Sequence, residues 1–357
     1  MALDIAVTKN PSPKNKPDQN RLGFGNYFTD HMFLFNYTSG RGWHDPRIVP
    51  YGPLNVDPAT DVLHYAQSVF EGLKAYKSAN GDLLLFRPHA NASRLNLSCE
   101  RLCIPKLEPD DIVDAIKALV KVDREWIPDA KDTSLYIRPF VISTDVHIGV
   151  RPADTYLFII ILSPVGAYYP EGINPVRIFV ENKYARTVKG GMGQVKAAGN
   201  YAASLLAQAE ATKKGFTQVL WLDAIEKKYV DEVGTMNVFF KINGEVITPT
   251  LAEETLLAGI TRDSVIQVLK HWGVKVQETK ISIDEIYRAH KQGLLEEAFG
   301  TGTAAVISPI GELNWDGDTV VINNFETGAI AKKLYDFITG IQSGVVDDPF
   351  KWTLKIE

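Results

Sequence analysis

The chain has 357 residues, of which 45% are hydrophobic and 23% are charged, and its formal net charge is -5 at pH 7. This length exceeds one typical hydrophobic core and predicts two domains, while the ordinary composition excludes a collagen, a disulfide scaffold and a disordered chain. The acidic balance argues against a nucleic-acid-binding surface, which requires a basic field, and favours a small-molecule partner.

The sequence gives no indication of a membrane or an oxidising compartment. The apolar stretch from Tyr156 to Val165 is too short to cross a bilayer and predicts a buried strand. Only two cysteines occur, Cys99 and Cys103, and no second pair of ligands completes a metal site, so we interpret both as packing residues. The N-terminus lacks the apolar run of a secretory signal. We therefore expect a cytoplasmic protein without a membrane partner or a metal.

The N-terminal half predicts an arm followed by a small domain. Residues 1–22 are polar and rich in proline, which is typical of a mobile arm, and residues 23–165 alternate strand-like and helical runs. The predicted strands are His31 to Tyr37, Leu83 to Phe86, Tyr136 to Ser143 and Tyr156 to Leu162, and the predicted helices are Asn91 to Cys103 and Asp110 to Val122. This pattern predicts an α+β domain.

Residues 166–175 contain glycines, prolines and an asparagine that interrupt both helix and strand, and they predict an interdomain loop. The remaining residues, 176–357, predict a large C-terminal domain. Its predicted strands are Val176 to Glu181, Gln218 to Leu222, Glu232 to Ile242 and Glu245 to Thr248, the last two joined by an Asn-Gly turn. Its predicted helices run from about Asn200 to Lys214, from Thr261 to Trp272, and from a capping box at Ser282 to Gln292.

Lys196 is the first candidate for chemistry. It follows a glycine-rich run and has small neighbours, a phenol at Tyr201 and a downstream carboxylate at Glu232. A lysine amine can be trapped by an aldehyde cofactor, and a carboxylate can keep a pyridine nitrogen protonated so that the ring accepts electrons. Together these groups are what pyridoxal phosphate chemistry requires. Taken singly, Lys196 is better interpreted as a solvated surface lysine, and Glu232 is interpreted equally well as a solvated strand-end acid.

Two small-residue turns could hold an anion such as a cofactor phosphate. The run from Leu257 to Arg262 leads into a predicted helix, whose first amides favour a negative charge, and the run from Phe299 to Ala304 carries threonine hydroxyls. Arg138 lies in a strand-like run and needs a carboxylate partner if it is buried. That partner could be a substrate acid or an internal Asp or Glu.

With these residues assembled, the chain resembles the branched-chain amino acid aminotransferases, which are fold type IV pyridoxal phosphate enzymes. The matching segments are 28–32, 70–74, 136–139, 199–201, 232–237 and 300–304. The resemblance implies an α+β, two-domain, D-amino acid aminotransferase-like fold with a smaller N-terminal α/β domain and a larger C-terminal pseudo-barrel domain that binds the cofactor.

The resemblance also implies the cofactor site. Lys196 would be the catalytic residue, bonded to pyridoxal 5'-phosphate and then moving a proton between the substrate and the cofactor. Glu232 would bind the pyridine nitrogen, and Tyr201 the phenolic oxygen. The phosphate would be held by Arg94, Thr303 and the amides of Ile260 and Thr261, with Arg186 near the cofactor.

For the substrate, the resemblance places the α-carboxylate near Thr235 and the Ala304 amide. The side-chain pocket would be lined by aromatic residues, namely Phe28, Tyr65, Phe70, Tyr136 and Tyr168. Arg138 with Tyr65 would receive the distal carboxylate of glutamate. Aromatic walls with a recessed polar end suit both an apolar and an acidic substrate.

The implied reaction is transamination of L-leucine, L-isoleucine and L-valine with 2-oxoglutarate, giving branched-chain 2-oxo acids and L-glutamate in a homodimer. Some members carry a redox Cys-x-x-Cys motif, but Ala305 and Ser308 occupy those positions here, so no such switch is expected. Two alternatives are a D-amino acid aminotransferase or aminodeoxychorismate lyase of the same fold, and a noncatalytic vitamin B6 binding protein.

Overall fold

The computed structural model describes residues 3–166 and 172–356, which group into two compact units. The first unit comprises Met1–Tyr168, Lys196–Ala198 and Gly340–Glu357, and the second comprises Tyr169–Val195 and Gly199–Thr339. The unit boundary near residue 168 lies within the predicted loop 166–175. Two later segments, Lys196–Ala198 and Gly340–Glu357, group with the N-terminal unit although they fall inside the predicted C-terminal domain 176–357.

The strands of both units, in chain order, are β1 (Ala6–Val7), β2 (His31–Thr38), β3 (Gly42–Pro50), β4 (Ser68–Phe70), β5 (Leu73–Lys77), β6 (Leu83–Phe86), β7 (Ser134–Ser143), β8 (Thr155–Val165), β9 (Val176–Glu181), β10 (Gln218–Leu222), β11 (Val230–Val233), β12 (Asn237–Ile242), β13 (Glu245–Thr248), β14 (Val276–Glu278), β15 (Leu295–Gly302), β16 (Val306–Trp315), β17 (Asp318–Val321) and β18 (Thr353–Ile356). The helices are α1 (Val62–Tyr65), α2 (Pro88–Arg101), α3 (Pro109–Val122), α4 (Ala198–Lys213), α5 (Ile260–His271), α6 (Ile283–Lys291) and α7 (Ala329–Gln342).

The first unit is built on a sheet in the order β1-β3-β2-β8-β7-β5-β6-β18, with β4 paired to β7. All pairs are antiparallel except β1 with β3. Residues of β7 alternate between its two faces: Leu135 and Ile137 enter the core, where helices α2 and α3 pack. Tyr136 and Arg138 therefore project from the opposite face of the sheet.

The segment predicted to be a mobile arm has defined contacts with the first unit. Strand β1 pairs with β3, the Asn10 amide donates to His31 Nε2 at 2.8 Å, and the Lys14 amide donates to Asp30 Oδ1 at 2.8 Å. These bonds set the path of the segment over the sheet. Its mobility is a dynamic property and stays a prediction.

The second unit contains a sheet in the order β11-β10-β9-β16-β15-β12-β13-β14, with β17 paired to β16. Here one prediction is wrong: the expected continuous strand from Glu232 to Ile242 is interrupted by a turn and forms two strands, β11 and β12. Gly234 in this turn has φ +58°, a conformation that glycine adopts without strain. The break places Glu232 at the third position of the short strand β11.

Several predicted elements are confirmed. Strands β6, β9, β10 and β13 begin and end at the predicted residues, and α6 begins after a complete capping box in which Ser282 and Glu285 bond each other's backbone amides. Helix α2 begins three residues earlier than predicted, with Pro88 at its first position, where a missing N–H removes no helical bond. The α+β prediction is confirmed.

The two cysteines differ in their exposure to solvent. Cys99 is buried as predicted. Cys103 is exposed at a turn where its φ is 55°, so the interpretation as a packing residue is wrong for it.

Within the described residues, none of the α-helices combines the length and the apolar character needed to cross a membrane.

Candidate cofactor and substrate site

The backbone of Lys196 is fixed on both sides by the first unit. Its amide donates to Ser98 Oγ at 2.9 Å, and its carbonyl accepts from the Phe70 amide at 3.0 Å. The next residue, Ala197, forms a β-bridge with Val69. The Lys196 Nζ lies 4.8 Å from the centroid of the Phe70 ring. The position of the amine is therefore set by β4 and α2, which lie far from it along the chain.

The loop before Lys196 is shaped by residues of the second unit. The Asn200 side chain donates to the carbonyls of Met192 at 2.7 Å and Val195 at 2.9 Å. Gly193 approaches Thr255 so closely that a Cβ there would lie 2.2 Å from the Thr255 carbonyl oxygen. The small residues noted in the sequence thus permit close backbone contact. Asn200 was not identified from the sequence, although an asparagine at the start of a helix is a common local hydrogen-bonding signal.

Glu71 and Arg94 form a buried ion pair in the first unit. The Arg94 Nε and Nη2 donate to the two carboxylate oxygens at 2.7 and 2.9 Å, and Asn91 Nδ2 and the Gly72 amide also donate to Glu71. Burial alone would raise the pKa of the Glu71 carboxyl, but Arg94, Lys196 and Asn91 together lower it. Glu71 was not predicted. It orients Arg94, whose role as a phosphate ligand stays a prediction.

Arg138 lies among aromatic rings on the outer face of β7. Its guanidinium carbon is 4.8 Å from the Phe70 ring centroid and 5.2 Å from that of Tyr136, and its Nη2 donates to the Tyr136 hydroxyl at 3.0 Å. Within residues 3–166 and 172–356, its buried Nε–H has no hydrogen-bond partner and no carboxylate pairs with it. Of the two interpretations of Arg138, the internal acid is therefore not found among the described residues, and the guanidinium is not neutralised by a carboxylate there.

The other predicted pocket residues of the N-terminal unit occupy different surroundings. Phe28 stacks on Tyr51 with ring centroids 5.2 Å apart, and Tyr65 ends α1 with 41% of its surface exposed. Tyr136 is buried and contacts the Phe24 ring edge-on at 5.0 Å. Tyr168 lies outside the described residues.

Glu232 is a buried carboxylate that is held at both oxygens in the second unit. Its Oε2 pairs with Arg186 Nε at 3.0 Å, and its Oε1 accepts from the Leu257 amide at 2.9 Å and from Asn237 Nδ2 at 3.4 Å. Arg186 also donates to the Thr255 carbonyl at 3.1 Å. The guanidinium is thus placed on the carboxylate, and Arg186 positions Glu232. A direct contact between Arg186 and the cofactor stays a prediction.

Asp231 precedes Glu232 and has a different environment. Its Oδ1 accepts from Thr255 Oγ1 at 3.2 Å, whereas Glu232 contacts Arg186 and Leu257. The two carboxylates therefore project from opposite faces of β11, as the alternation of a strand predicts. Burial, together with the neighbouring Glu232 charge, raises the pKa of Asp231 to about 7.

The predicted phosphate-binding amides lie at the start of α5, a helix of 12 residues that begins at Ile260 with Gly259 as its N-cap. A Cβ at Gly259 would lie 2.0 Å from Asn237 Oδ1, so the helix start is packed against the residue that also bonds Glu232. Ile260 and Thr261 therefore present the positive end of the α5 dipole near the Glu232 cluster.

Two turns of the second unit carry the remaining predicted residues. Thr235 is exposed in the turn between β11 and β12, and Thr303 and Ala304 lie in the turn between β15 and β16. A Cβ at Gly302, the last residue of β15, would lie 3.1 Å from Met236 Cγ in the first turn, so the two turns are adjacent. Val306 ends the second turn with φ 61°, a strained conformation for a β-branched residue. Tyr201 lies in the first turn of α4.

The predicted residues thus fall into one group in each unit. The first unit brings together Lys196, Phe70, Arg94, Tyr136 and Arg138. The second brings together Glu232, Arg186, the start of α5 and the two turns. The residues fit a pyridoxal phosphate on their chemistry: a buried carboxylate paired with a guanidinium suits a protonated pyridine nitrogen, and a helix start suits a phosphate.

Comparison with known proteins gives consistent results. The family model for amino-transferase class IV matches residues 68–313. The chain is 60% identical over 354 residues to branched-chain-amino-acid aminotransferase 2 of Bacillus subtilis, covering 99% of this chain and 96% of that protein. The fold is similar to the crystal structure of the Escherichia coli branched-chain amino acid aminotransferase, with a TM-score of 0.76, 27% identity, and coverage of 90% of this chain and 99% of that one. It is also similar to a T.th. branched-chain amino acid aminotransferase complexed with N-(5'-phosphopyridoxyl)-L-glutamate, with a TM-score of 0.74, 28% identity, and coverage of 90% and 98%.

Proposed function

The chain belongs to the class IV aminotransferases, and we propose from this premise that it is a pyridoxal phosphate-dependent branched-chain amino acid aminotransferase of fold type IV. It exchanges the amino group between L-leucine, L-isoleucine or L-valine and 2-oxoglutarate. The observation that carries this function is the 60% identity to an enzyme of that name over 99% of the chain. The site residues described above are consistent with it.

The cofactor, when bound, accepts electrons from the substrate carbon whose proton is removed. Glu232 holds the proton at the pyridine nitrogen, because its charge is maintained by Arg186 and its position by the Leu257 amide. Lys196 supplies the amine that bonds the cofactor and then carries the proton to and from the substrate α-carbon. Its backbone is fixed by Ser98 and Phe70, so the amine is oriented before the substrate arrives.

The substrate side uses the aromatic surroundings of Arg138. The Phe70 and Tyr136 rings offer apolar contact to a branched aliphatic side chain, and the Arg138 guanidinium beside them can donate to the distal carboxylate of glutamate. One pocket thereby accepts both substrates. The T.th. relative was crystallised with a phosphopyridoxyl adduct of L-glutamate, which supports the acid half-reaction.

We also propose that the protein is a cytoplasmic homodimer. A patch of exposed apolar side chains in the first unit supports the dimer: Leu63, Tyr65, Val146, Ile148 and Val150 are between 41% and 87% exposed. Their two segments are joined by a β-bridge between Thr60 and Val146. Such a patch on a monomer is typical of an interface. The free thiols of Cys99 and Cys103 support a reducing compartment.

The proposal is tested by a substrate screen of the purified protein with pyridoxal phosphate. We expect 2-oxoglutarate-dependent consumption of L-leucine, L-isoleucine and L-valine, with no conversion of D-alanine. A Lys196→Ala variant should lose nearly all turnover, since it removes the amine that bonds the cofactor and moves the proton. Efficient transamination of D-alanine without L-leucine would contradict the proposed substrates, and substantial turnover by Lys196→Ala would contradict the lysine assignment.

A further inference from the structure

Phe28 lies in a segment that is neither helix nor strand. This segment, residues 22–30, precedes β2 in the first unit. It borders the residues of the proposed substrate pocket, because the Phe24 ring contacts the Tyr136 ring edge-on at 5.0 Å. The Thr29 amide donates to the Leu162 carbonyl of β8 at 3.1 Å. The position of Phe28 therefore depends on contacts that other parts of the chain make with this segment.

Lys14 contacts both the backbone of Phe28 and the ring that stacks on it. The Lys14 Nζ donates to the carbonyls of Phe28 at 3.2 Å and Thr29 at 2.8 Å. The same ammonium lies 4.3 Å from the centroid of the Tyr51 ring. Tyr51 in turn stacks on Phe28, with ring centroids 5.2 Å apart and ring planes 6° apart. One positive charge thus holds two consecutive carbonyls and the aromatic ring against which Phe28 packs.

The backbone of Lys14 is fixed independently of its ammonium group. Its amide donates to Asp30 Oδ1 at 2.8 Å, and Asp30 Oδ2 accepts from Trp126 Nε1 at 2.8 Å, so this buried carboxylate is held at both oxygens. Earlier in the N-terminal segment, the Asn10 amide donates to His31 Nε2 at 2.8 Å. Because these bonds do not use the ammonium, a variant without it keeps the backbone contacts of the N-terminal segment.

We propose that Lys14 is a positioning residue for the substrate side chain, because it holds Phe28 at the wall of the substrate pocket. This inference rests on the proposed function, in which Phe28 contacts the branched side chain. L-Leucine depends on apolar contact with this wall, whereas 2-oxoglutarate also forms a charged hydrogen bond with the Arg138 guanidinium. Displacement of Phe28 therefore lowers kcat/KM for L-leucine more than kcat/KM for 2-oxoglutarate.

Kinetics of the two half-reactions in Lys14→Met test this role. Methionine keeps an apolar side chain of similar length and removes the ammonium. The ratio of kcat/KM for L-leucine to kcat/KM for 2-oxoglutarate should fall about fourfold, which is the effect of losing the burial of one methylene group. Lys14→Arg keeps a charged donor and should retain the wild-type ratio within about twofold. Lys16→Met, the matched control, removes an exposed lysine of the same segment and should leave both values of kcat/KM unchanged.

The double variant of Lys14 and Phe28 shows whether one residue acts through the other. Once Phe28→Ala has removed the ring, loss of the ammonium should have no further effect, so the double variant should show the same ratio as Phe28→Ala alone. Multiplicative effects of the two substitutions would overturn the proposal. An unchanged ratio in Lys14→Met, or an equal fall of kcat/KM for both substrates, would also overturn it.

Amide hydrogen exchange of residues 22–30 distinguishes failure of this proposal from failure of the proposed function. Lys14→Met should accelerate exchange in this segment, since the ammonium no longer restrains the backbone around Phe28, and Lys16→Met should not. This measurement does not require turnover. A wild-type protein that does not transaminate L-leucine would contradict the proposed function. Unchanged exchange in Lys14→Met would overturn the positioning role even in an active enzyme.

Discussion

Asp231 and Glu232 are adjacent acids whose environments separate their roles. Glu232 has an arginine and a backbone amide as partners, whereas Asp231 has one threonine hydroxyl and an oxygen without a donor among the described residues. Pairs of acids in such different environments are a common way to give one carboxylate a fixed charge and the other a pKa near neutrality. Because of this difference, we expect the contribution of Asp231 to the free energy of unfolding to depend on pH.

We expect Asp231→Asn to stabilise the protein, and more so at pH 8 than at pH 5.5. Burial and the Glu232 charge raise the pKa of Asp231 to about 7, so the folded state keeps a proton that the unfolded chain loses near pH 4. The free energy of unfolding contributed by this group therefore falls as the pH rises from about 4 to about 7. A difference of roughly three pKa units at about 1.4 kcal/mol each makes the gain at pH 8 on the order of 4 kcal/mol.

Thermal unfolding midpoints of wild type and variant at the two pH values measure this effect. Glu226→Gln, which removes an exposed acid nearby, serves as the control and should shift the midpoint equally at both pH values. A variant midpoint that exceeds the wild type by the same amount at pH 5.5 and pH 8 would show that Asp231 titrates normally.

Arg138→Ala should damage the half-reaction with 2-oxoglutarate and glutamate more than the one with L-leucine. The variant removes the guanidinium and its bond to the Tyr136 hydroxyl, but it leaves the aromatic rings of Phe70 and Tyr136. A charged hydrogen bond contributes about 1.5–3 kcal/mol, so kcat/KM for 2-oxoglutarate should fall about 10- to 100-fold. Single-turnover kinetics with each substrate separate the two half-reactions. Arg138→Lys keeps the charge without the planar guanidinium and should lose less kcat/KM for 2-oxoglutarate. Equal losses of kcat/KM for both substrates in Arg138→Ala would show that Arg138 supports the site generally.

Gly72, which lies between β4 and β5, is in close contact with Tyr136, a residue of the proposed substrate pocket. A Cβ at this position would lie 2.0 Å from the Tyr136 hydroxyl oxygen, so Gly72→Ala must displace the ring that bonds Arg138. We expect an overpacking cost of about 1–3 kcal/mol and a marked loss of activity with 2-oxoglutarate. Gly52→Ala is the matched control, because nothing lies within 4 Å of its Cβ position. Equal activity of the two variants would show that Tyr136 moves without consequence.

The sequence predicted elements well where local signals mark their ends. The Asn-Gly turn, the capping box at Ser282 and the glycine after α4 each have a local chemical cause, and the elements beside them are found as expected. The break between β11 and β12 was missed because the apolar pattern continues through it. Gly234 is needed there because a Cβ would lie 2.2 Å from Gln218 Oε1, and this contact is with another strand.

The candidate site shows the same difference between local signals, which a sequence contains, and long-range contacts, which it does not. Lys196, Glu232 and Arg138 could be proposed from the sequence because their side-chain chemistry is specific and their motifs are local, and their roles stay predictions. Glu71 and Asn91 were missed because their roles depend on Arg94, and Ser98 because it bonds a backbone amide 98 residues away. Long-range partners of this kind leave no periodic or local pattern in a single sequence.

The path of the chain places Lys196–Ala198 in the first unit and the residues on either side in the second. A sequence read in order cannot anticipate this, since the helix that begins at Ala198 looks continuous with the domain that follows. The grouping has a clear cause in the bonds from Lys196 to Ser98 and Phe70. The lysine that we propose to be catalytic thus belongs to the second half of the sequence and is held by elements of the first unit.

The exposed apolar patch predicts the oligomeric state. Light scattering after size-exclusion chromatography should give about twice the mass of one 39.6 kDa chain. Ile148→Asp and Val150→Asp should each shift the mass toward the monomer, because a charge within an apolar interface is unfavourable. Val345→Asp is the control, since Val345 is 73% exposed outside the patch. A monomeric wild-type protein would contradict the homodimer.

The most direct test of the proposed transaminase is the visible absorption spectrum of the purified protein with pyridoxal phosphate, recorded before and after addition of L-leucine and then 2-oxoglutarate. The Lys196 and Glu232 assignments predict a cofactor band that disappears with L-leucine and returns with 2-oxoglutarate. Lys196→Ala should lack the band characteristic of the bonded lysine. A band that responds to neither substrate, or the absence of any band in the wild-type protein, would contradict the proposed transaminase function.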